Sequence, residues 1–470
     1  MQAEFSSHTI AAIATAEGPA GVAVVRISGP ASWQVAARVV QNPGIQLTDR
    51  PAGHFFHASF VAAGTGVILD DGLVLLFRAP ASFTGEDVVE LQGHGGQACS
   101  RAVLRAVLSA GARLAAPGEF TRRAFLNGRM DLTQAEAVMD LVQARSERAA
   151  QAARAQLDGA LGREVDACYM EVTALCADVA AQLDFEEGEL PARLRGEAEG
   201  RLDNVRDRVA QLLATSREGR LLRDGALVVI SGCPNAGKSS LLNALLGTGR
   251  AIVSPVAGTT RDTIEEGLVL DGIPLRLMDT AGLCEASCVL EQEGVGRAHQ
   301  ALNQADLIIF MLDASRPLPL QQTALLSVWG RKAVPKLVVL NKTDLPNMLH
   351  ESELVDFMHG DGCLMVPDTL RLSLLTGAGL SELKKTLVDK LGVERQAPGH
   401  VTVTERHGVE LCLVEQALGR ARTLLASDEA SLVLAAGELR LAAEALGRIT
   451  GRKYSFDLLD QIFARFCLGK

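Results

Sequence analysis

Four short stretches between residues 232 and 344 carry side chains suited to holding and splitting a nucleoside triphosphate. The first is Gly232-Cys-Pro-Asn-Ala-Gly-Lys-Ser239, a G-x-x-x-x-G-K-S loop. Its glycines let backbone N–H groups converge on phosphate oxygens, Lys238 reaches the β- and γ-phosphates, and the Ser239 hydroxyl ligates Mg2+. An apolar run precedes the loop and Leu241-Leu-Asn-Ala-Leu245 follows it, so the phosphates meet a helix N-terminus whose dipole favours anions. Asn235, Ala236, Gly237, Lys238, Ser239 and Ser240 are therefore expected around the phosphates.

The remaining stretches are Gly258-Thr-Thr-Arg-Asp262, Asp279-Thr-Ala-Gly282 and Asn341-Lys-Thr-Asp344. The last selects the base. The Asp344 carboxylate accepts from guanine N1–H and N2–H2 together, whereas adenine would leave it partly unpaired, which is costly. Asn341, Lys342 and Thr343 complete that base site. Thr259 or Thr260 closes on Mg2+ and the γ-phosphate, with Thr260 taken as the ligand. On the other side Asp279, Thr280, Ala281 and Gly282 sense the γ-phosphate, Gly282 through its backbone N–H. This motif order is that of a GTPase. Leu283 follows Gly282, and an apolar side chain cannot orient water. Glu285, Glu291 and Glu293 are the local alternatives, and each also reads as a solvated helix-face carboxylate.

The elements that position these motifs alternate in type. Apolar runs at 226–231, 275–278, 306–312 and 336–340 predict a parallel, doubly wound sheet with its loops at the strand carboxyl ends. Upstream, residues 1–120 read as mixed α/β, with a hairpin from 10–16 and 22–27, strands at 73–77 and 88–91, and a helix near 101–110. Asp131 caps a helix over 133–145. Leu157, Leu161, Val165, Tyr169, Val172, Leu175, Val179 and Leu183 recur at spacings of three and four, which predicts one long amphipathic helix. Leu202, Val205, Val209 and Leu212 continue the pattern until Gly219, while the charged stretch 188–201 reads as a loop. Helices return at 410–425, 427–446 and 455–466. Helical flanks on both sides of the α/β segment predict a discontinuous helical domain with the nucleotide domain inserted.

Composition narrows the class. A chain of 470 residues should hold several domains, and 48% hydrophobic with 22% charged residues supports ordinary cores. A net charge of −10 disfavours a strong nonspecific phosphate-binding surface, so a nucleic-acid substrate needs a local basic patch or a partner. The 9 cysteines form no C-x-x-C pair, which points to reduced thiols in the cytoplasm; Cys284 and Cys288 alone are close enough to weigh as metal ligands. The N-terminus lacks a basic stretch before an apolar run, and no apolar span of membrane length is present.

The flanks resemble the bacterial tRNA-modification GTPase family MnmE, also called TrmE. The likeness rests on His8-Thr-Ile-Ala-Ala-Ile-Ala-Thr15, Val25-Arg-Ile-Ser-Gly-Pro30, Phe83-Thr-Gly-Glu-Asp-Val-Val-Glu-Leu91 and His94-Gly-Gly96. It extends through Pro117-Gly-Glu-Phe-Thr-Arg-Arg-Ala-Phe-Leu-Asn-Gly128, Asp131-Leu-Thr-Gln-Ala-Glu-Ala137 and the terminal Phe466-Cys-Leu-Gly-Lys470. The resemblance implies an α/β plus all-α architecture: an N-terminal mixed α/β folate-binding and dimerisation domain at 1–122, a discontinuous helical domain at 123–222 and 392–470, and an inserted Ras-like P-loop G domain at 223–391. It implies a homodimer that works with an FAD-dependent partner of the MnmG type, a heterotetramer, with tRNA as substrate. Together they install an aminomethyl or carboxymethylaminomethyl group on C5 of the wobble uridine, using a one-carbon unit from methylene- or formyl-tetrahydrofolate.

Carried onto this chain, the resemblance makes Glu291 the catalytic glutamate beside Lys238, Thr260 and Gly282. K+ falls to Asn235 with Ser254, Val256 and Thr259, in a loop where Pro255, Ala257 and Gly258 also line the nucleotide. Such a cation supplies charge where other GTPases use an arginine. Arg26, Glu90, Arg129 and Lys470 match folate positions; read without the family, each is a surface ion-pair residue. Cys467 matches a terminal cysteine, open to either a reactive or a buried apolar role. The chain departs from the family pattern at Gly18-Pro-Ala-Gly21, at Phe83 where tyrosine is usual, at Cys284, and at Ser373-Leu-Leu375 in the base-cradling loop. The competing reading is a ribosome-assembly GTPase acting as an RNA-binding switch.

Overall fold

The computed structural model describes residues 8–16, 18–42, 53–182, 192–232, 234–248, 250–251, 265–279, 301–317, 334–349, 368–393, 401–427 and 431–470. They form two compact units, one from 1–142, 156–210 and 409–470, the other from 143–155 and 211–408.

The first unit begins with alternating apolar strands. β1 (Ile10–Ile13) and β2 (Ala20–Ser28) form the expected hairpin, with Ile10 opposite Ser28. β3 (Val40–Gln41), β4 (Phe55–Val61), β5 (Ile68–Phe77), β6 (Val88–Gly95) and β7 (Arg113–Leu114) complete a seven-stranded sheet ordered β3-β4-β5-β6-β2-β1-β7. Val25, Ile27, Val74, Leu76, Val89 and Leu91 point into one core with Trp33, Val103 and Val107 from the covering helices. Alternation along each strand sends every second residue to that face.

The helical part of this unit is built on a seam. In the helix Ala160–Gln182, Leu161, Val165, Cys168, Val172, Leu175 and Val179 are buried and face the helix Leu432–Thr450. Burial takes Cys168 where the sequence pattern suggested Tyr169, whose ring lies under the Arg452 guanidinium at 5.0 Å. The long predicted helix is two, because the chain turns at Asp158-Gly159 and Leu157 ends the preceding helix Glu147–Leu157. Residues 192–201, expected as loop, begin the helix Ala192–Ala214, where Ala198, Leu202, Val205 and Val209 are buried. Asp131 caps its helix as predicted: Oδ1 accepts from Gln134 N at 2.8 Å.

The second unit holds the other seven-stranded sheet, ordered β14-β13-β12-β8-β11-β10-β9. β8 (Ala226–Gly232), β11 (Ile273–Asp279), β12 (Leu307–Asp313), β13 (Lys336–Asn341) and β14 (Asp368–Arg371) are parallel. β9 (Arg250–Ala251) and β10 (Glu265–Leu270) add an antiparallel edge that the apolar runs did not announce. Continuous burial along β8 and β12 is the mark of strands covered on both faces. Gly219, read as a helix stop, lies inside the helix Ser216–Asp224, and its lack of a side chain makes room for the Val403 carbonyl oxygen, 2.5 Å from where a Cβ would sit. Among the described residues no helix is long and apolar enough to cross a membrane, and Cys99, Cys168, Cys176, Cys412 and Cys467 are free thiols.

Glu119 locks the junction below β1 and β7. Its buried carboxylate accepts from Arg113 at 2.5 Å, from Arg123 at 3.0 Å and from Ala116 N at 2.9 Å. Burial alone would raise the Glu119 carboxyl, but Arg113, the Ala116 amide and Arg123 outweigh it and hold it below the usual carboxylate range. Its contribution is therefore complete above that range and lost as pH falls through it. Glu119→Gln is expected to lower stability at pH 7 by about 3 kcal/mol, since the 3%-exposed Arg123 loses a partner. Urea unfolding at pH 7 and pH 4 checks this: the gap between the two proteins should narrow in acid, and a constant gap would contradict the assignment.

Candidate functional site

The parallel strands bring their carboxyl ends to one edge. Asp279 stands beside Ile230, Met311 beside Gly232, and Asp313 beside Asn341. The loop after β8 therefore opens onto Asp279, Asp313 and Asn341 before the chain enters the helix Lys238–Thr248. This is where an open α/β sheet binds its ligand.

Within the loop, Asn235 is exposed and adopts φ of 59°, a conformation asparagine tolerates better than most residues. Lys238 is only 7% exposed and donates to the Gly232 carbonyl at 3.0 Å, so its ammonium lies back across the loop. The Ser239 hydroxyl donates to Asp279 Oδ2 at 2.9 Å. A hydroxyl and a carboxylate oxygen so placed suit a hard cation such as Mg2+.

Asn341 carries the base-side geometry. Its amide is buried, donates to the Ala236 carbonyl at 2.8 Å and accepts from Leu374 N at 3.2 Å. Gly237 sits so close that a Cβ there would strike Asn341 Nδ2. Ser373 donates from its hydroxyl to Asp344 Oδ1 at 2.6 Å, which fixes the direction of that carboxylate. Leu374 packs on the core and Leu375 is 85% exposed, so the apolar departures there leave the Ser373 contact intact.

One residue escaped the sequence reading. Asp313 ends β12 as Asp279 ends β11, and that shared position was the available signal. Its carboxylate accepts from Lys342 at 2.7 Å and from the Ser315 hydroxyl and backbone at 2.6 and 3.0 Å. Burial pushes the carboxyl up; these donors outweigh it and hold it below the usual range. Lys342 has φ of 65°, a conformation that costs a non-glycine residue about 1 kcal/mol or more, and the Asp313 ion pair helps to hold it there. Of the other expected nucleotide, metal and catalytic residues, Ser254, Pro255, Val256, Ala257, Gly258, Thr259, Thr260, Thr280, Ala281, Gly282, Glu291 and the alternatives Glu285 and Glu293 lie outside the described residues, as do Leu283, Cys284 and Cys288.

A second polar group lies in the first unit. Arg26 and Glu90 face each other across β2 and β6, and Arg26 Nε donates to Glu90 Oε1 at 2.8 Å. The guanidinium lies 5.5 Å from the Phe83 ring and 5.7 Å from the Phe120 ring, so phenylalanine preserves the ring face that tyrosine would present. Phe120, from a motif quoted above for another reason, is the unforeseen member. The chain end comes to the same place. Gly469 has φ of 88° and lies against the Ile13 carbonyl, where a side chain would collide. Burial, and then the charge of Arg26, push the Lys470 amine below its ordinary range, while Cys467 and Glu90 pull the other way. The chain end thus adds a second cationic side chain to the strands that carry the Arg26–Glu90 pair. Arg129 is exposed, with its side-chain stem lying over Gly85.

Residues 9–129 match the family described as GTP-binding protein TrmE N-terminus, and residues 132–467 match the MnmE helical domain. The tRNA modification GTPase MnmE of Dichelobacter nodosus is 43% identical over 470 residues, covering 99% of this chain and 100% of that one. The Burkholderia mallei protein of the same name is 43% identical over 472 residues, covering 99% of each. Among solved structures, the G domain of the Thermotoga maritima FeoB iron transporter is 28% identical over 35% of this chain and 98% of its own, with a TM-score of 0.26.

Asp313→Ala is expected to weaken GDP binding about tenfold, a loss of roughly 1.4 kcal/mol, by releasing Lys342 and with it the 341–344 loop. Titration with a fluorescent GDP analogue measures this, and unaltered affinity in a folded variant would remove Asp313 from the site.

Proposed function

The chain belongs to the tRNA modification GTPase MnmE family, and from that premise we propose that it hydrolyses GTP to time a folate-dependent modification of the wobble uridine in certain tRNAs. The observation that carries the reading is the arrival of the chain end at β1, where Gly469 lies against the Ile13 carbonyl, one strand from the Arg26–Glu90 pair. A folate presents amidine-like donors on its pterin ring and carboxylates on its glutamyl tail. Glu90 suits the first, and Arg26, Lys470 and Arg129 suit the second. Bound there, tetrahydrofolate supplies the one-carbon unit that becomes the methylene on uridine C5. The chain's own part is to orient that cofactor and to keep two cations desolvated against it.

In the nucleotide site, Lys238 and Ser239 hold the phosphates with Mg2+, and Asp344, aimed by Ser373, selects guanine. Asn235 offers a side-chain oxygen at the loop apex, where K+ would offset charge developing on the phosphates, with Ser254, Val256 and Thr259 completing its shell. Glu291 is proposed for the attacking water, with Thr260 and Gly282 closing on the γ-phosphate. A homodimer would bring two such sites face to face, and an FAD-dependent partner would supply the redox step and share the grip on tRNA. The acidic balance of −10 favours that sharing.

Mass spectrometry of wobble uridines tests the function. Cells lacking the gene should lose the C5 group, the full chain should restore it, and a chain ending at Phe466 should not, although its basal GTP turnover stays near normal. Restoration by the shortened chain would take the tail out of the site. Replacing Na+ by K+ at constant ionic strength should raise GTP turnover at least about tenfold, and equal rates would sink the cation argument.

A further inference from the structure

His94-Gly-Gly96 is a stretch of the resemblance that the proposed reactions leave unused, and it sits in a cluster of metal-ligating side chains. Three adjacent strands contribute: His57 from β4, Asp70 and Asp71 from β5, and His94 from β6. His94 Nδ1 lies 2.6 Å from Asp70 Oδ1, and Asp70 Oδ2 accepts from His94 N at 2.8 Å. His57 Nε2 lies 2.9 Å from Asp71 Oδ2. One ligand atom from each of Asp70, Asp71 and His94 falls within 4.8 Å of the other two.

Two features set this apart from a scatter of surface charges. The Asp70 side chain is 7% exposed although it carries a carboxylate, whereas its partner ring is 68% exposed. Gly93 leaves the space that carboxylate occupies, since a Cβ there would run into Asp70 Oδ2. The sheet is thus shaped to bring a buried carboxylate up to His94, so that two donors of different chemistry meet at one point on its surface.

We propose that Asp70, Asp71 and His94, flanked by His57, form a surface site for a divalent transition metal of the Zn2+ class. Mixed imidazole and carboxylate donors suit such ions better than Mg2+ or Ca2+. Two atoms that each lie about 2.1 Å from a common ion are about 3.4 Å apart in a tetrahedral shell. The His94–Asp70 pair therefore opens by less than about 1 Å to admit the ion, a movement that the exposed His94 ring supplies while the buried Asp70 carboxylate stays in place. The three ligand atoms, within 4.8 Å of one another, reach that spacing by rotation of Asp71 and His94, both exposed.

The experiment uses the untagged full chain, its exposed thiols alkylated and its nucleotide site saturated with Mg2+ and GDP. Isothermal titration with Zn2+ should give one saturable site per chain. His94→Ala should abolish that site, and Asp71→Asn should weaken it about 10–100-fold. Both variants lie outside the nucleotide machinery, so basal GTP turnover should match the parent and confirm folding. A titration in which the parent shows no saturable site, or in which either folded variant binds as the parent does, would overturn the proposal. None of these outcomes depends on the modification reaction, so the wobble-uridine reading stands or falls separately.

Discussion

A single buried carboxamide organises the nucleotide site. Asn341 gives its N–H to the phosphate loop at Ala236 and takes one from Leu374 in the base-cradling loop, while its own backbone ends β13. Each of these groups is polar and removed from water, so breaking any one bond leaves a costly orphan. The loop after β8 and the loop after β14 are therefore held at a set separation by one side chain. Gly237 is glycine for the same reason, because anything larger would displace the amide.

Around that tie the charges are placed with little freedom. Asp313 holds Lys342 in a conformation it would otherwise avoid, Ser373 aims Asp344, and Ser239 meets Asp279. Each contact spends one polar group to orient another, which is the preorganisation that an electrostatic site requires. The first unit uses the same logic on a different scaffold. There the cross-strand pair Arg26–Glu90 lies over aromatic rings, and the chain end adds Lys470 as a partly desolvated cation.

Much of the architecture was legible beforehand, because periodicity reports burial. The strands of the nucleotide sheet and the seam of the helix Ala160–Gln182 follow from apolar spacing. The errors have a common origin. Residues 192–201 look like loop by charge, yet the helix they begin buries Ala198 and then Leu202, with Gly196, Glu197 and Gly200 exposed. Gly219 looks like a terminator, yet it is small because the Val403 carbonyl approaches it. The antiparallel edge of β9 and β10 is short and partly polar, so it carries no signature that distinguishes it from a loop.

By itself the sequence determined the strand–loop–helix setting of the motif at 232–239 and the strand end at Asn341, since each is written in neighbouring residues. Tertiary structure alone decided what supports them. Asp313 and Lys342 are separated by 29 positions, Asn341 and Ala236 by 105, and Arg26 and Glu90 by 64. No local pattern encodes such pairs, because they form only when strand order brings distant ends together and burial makes an unmet polar group too costly to leave.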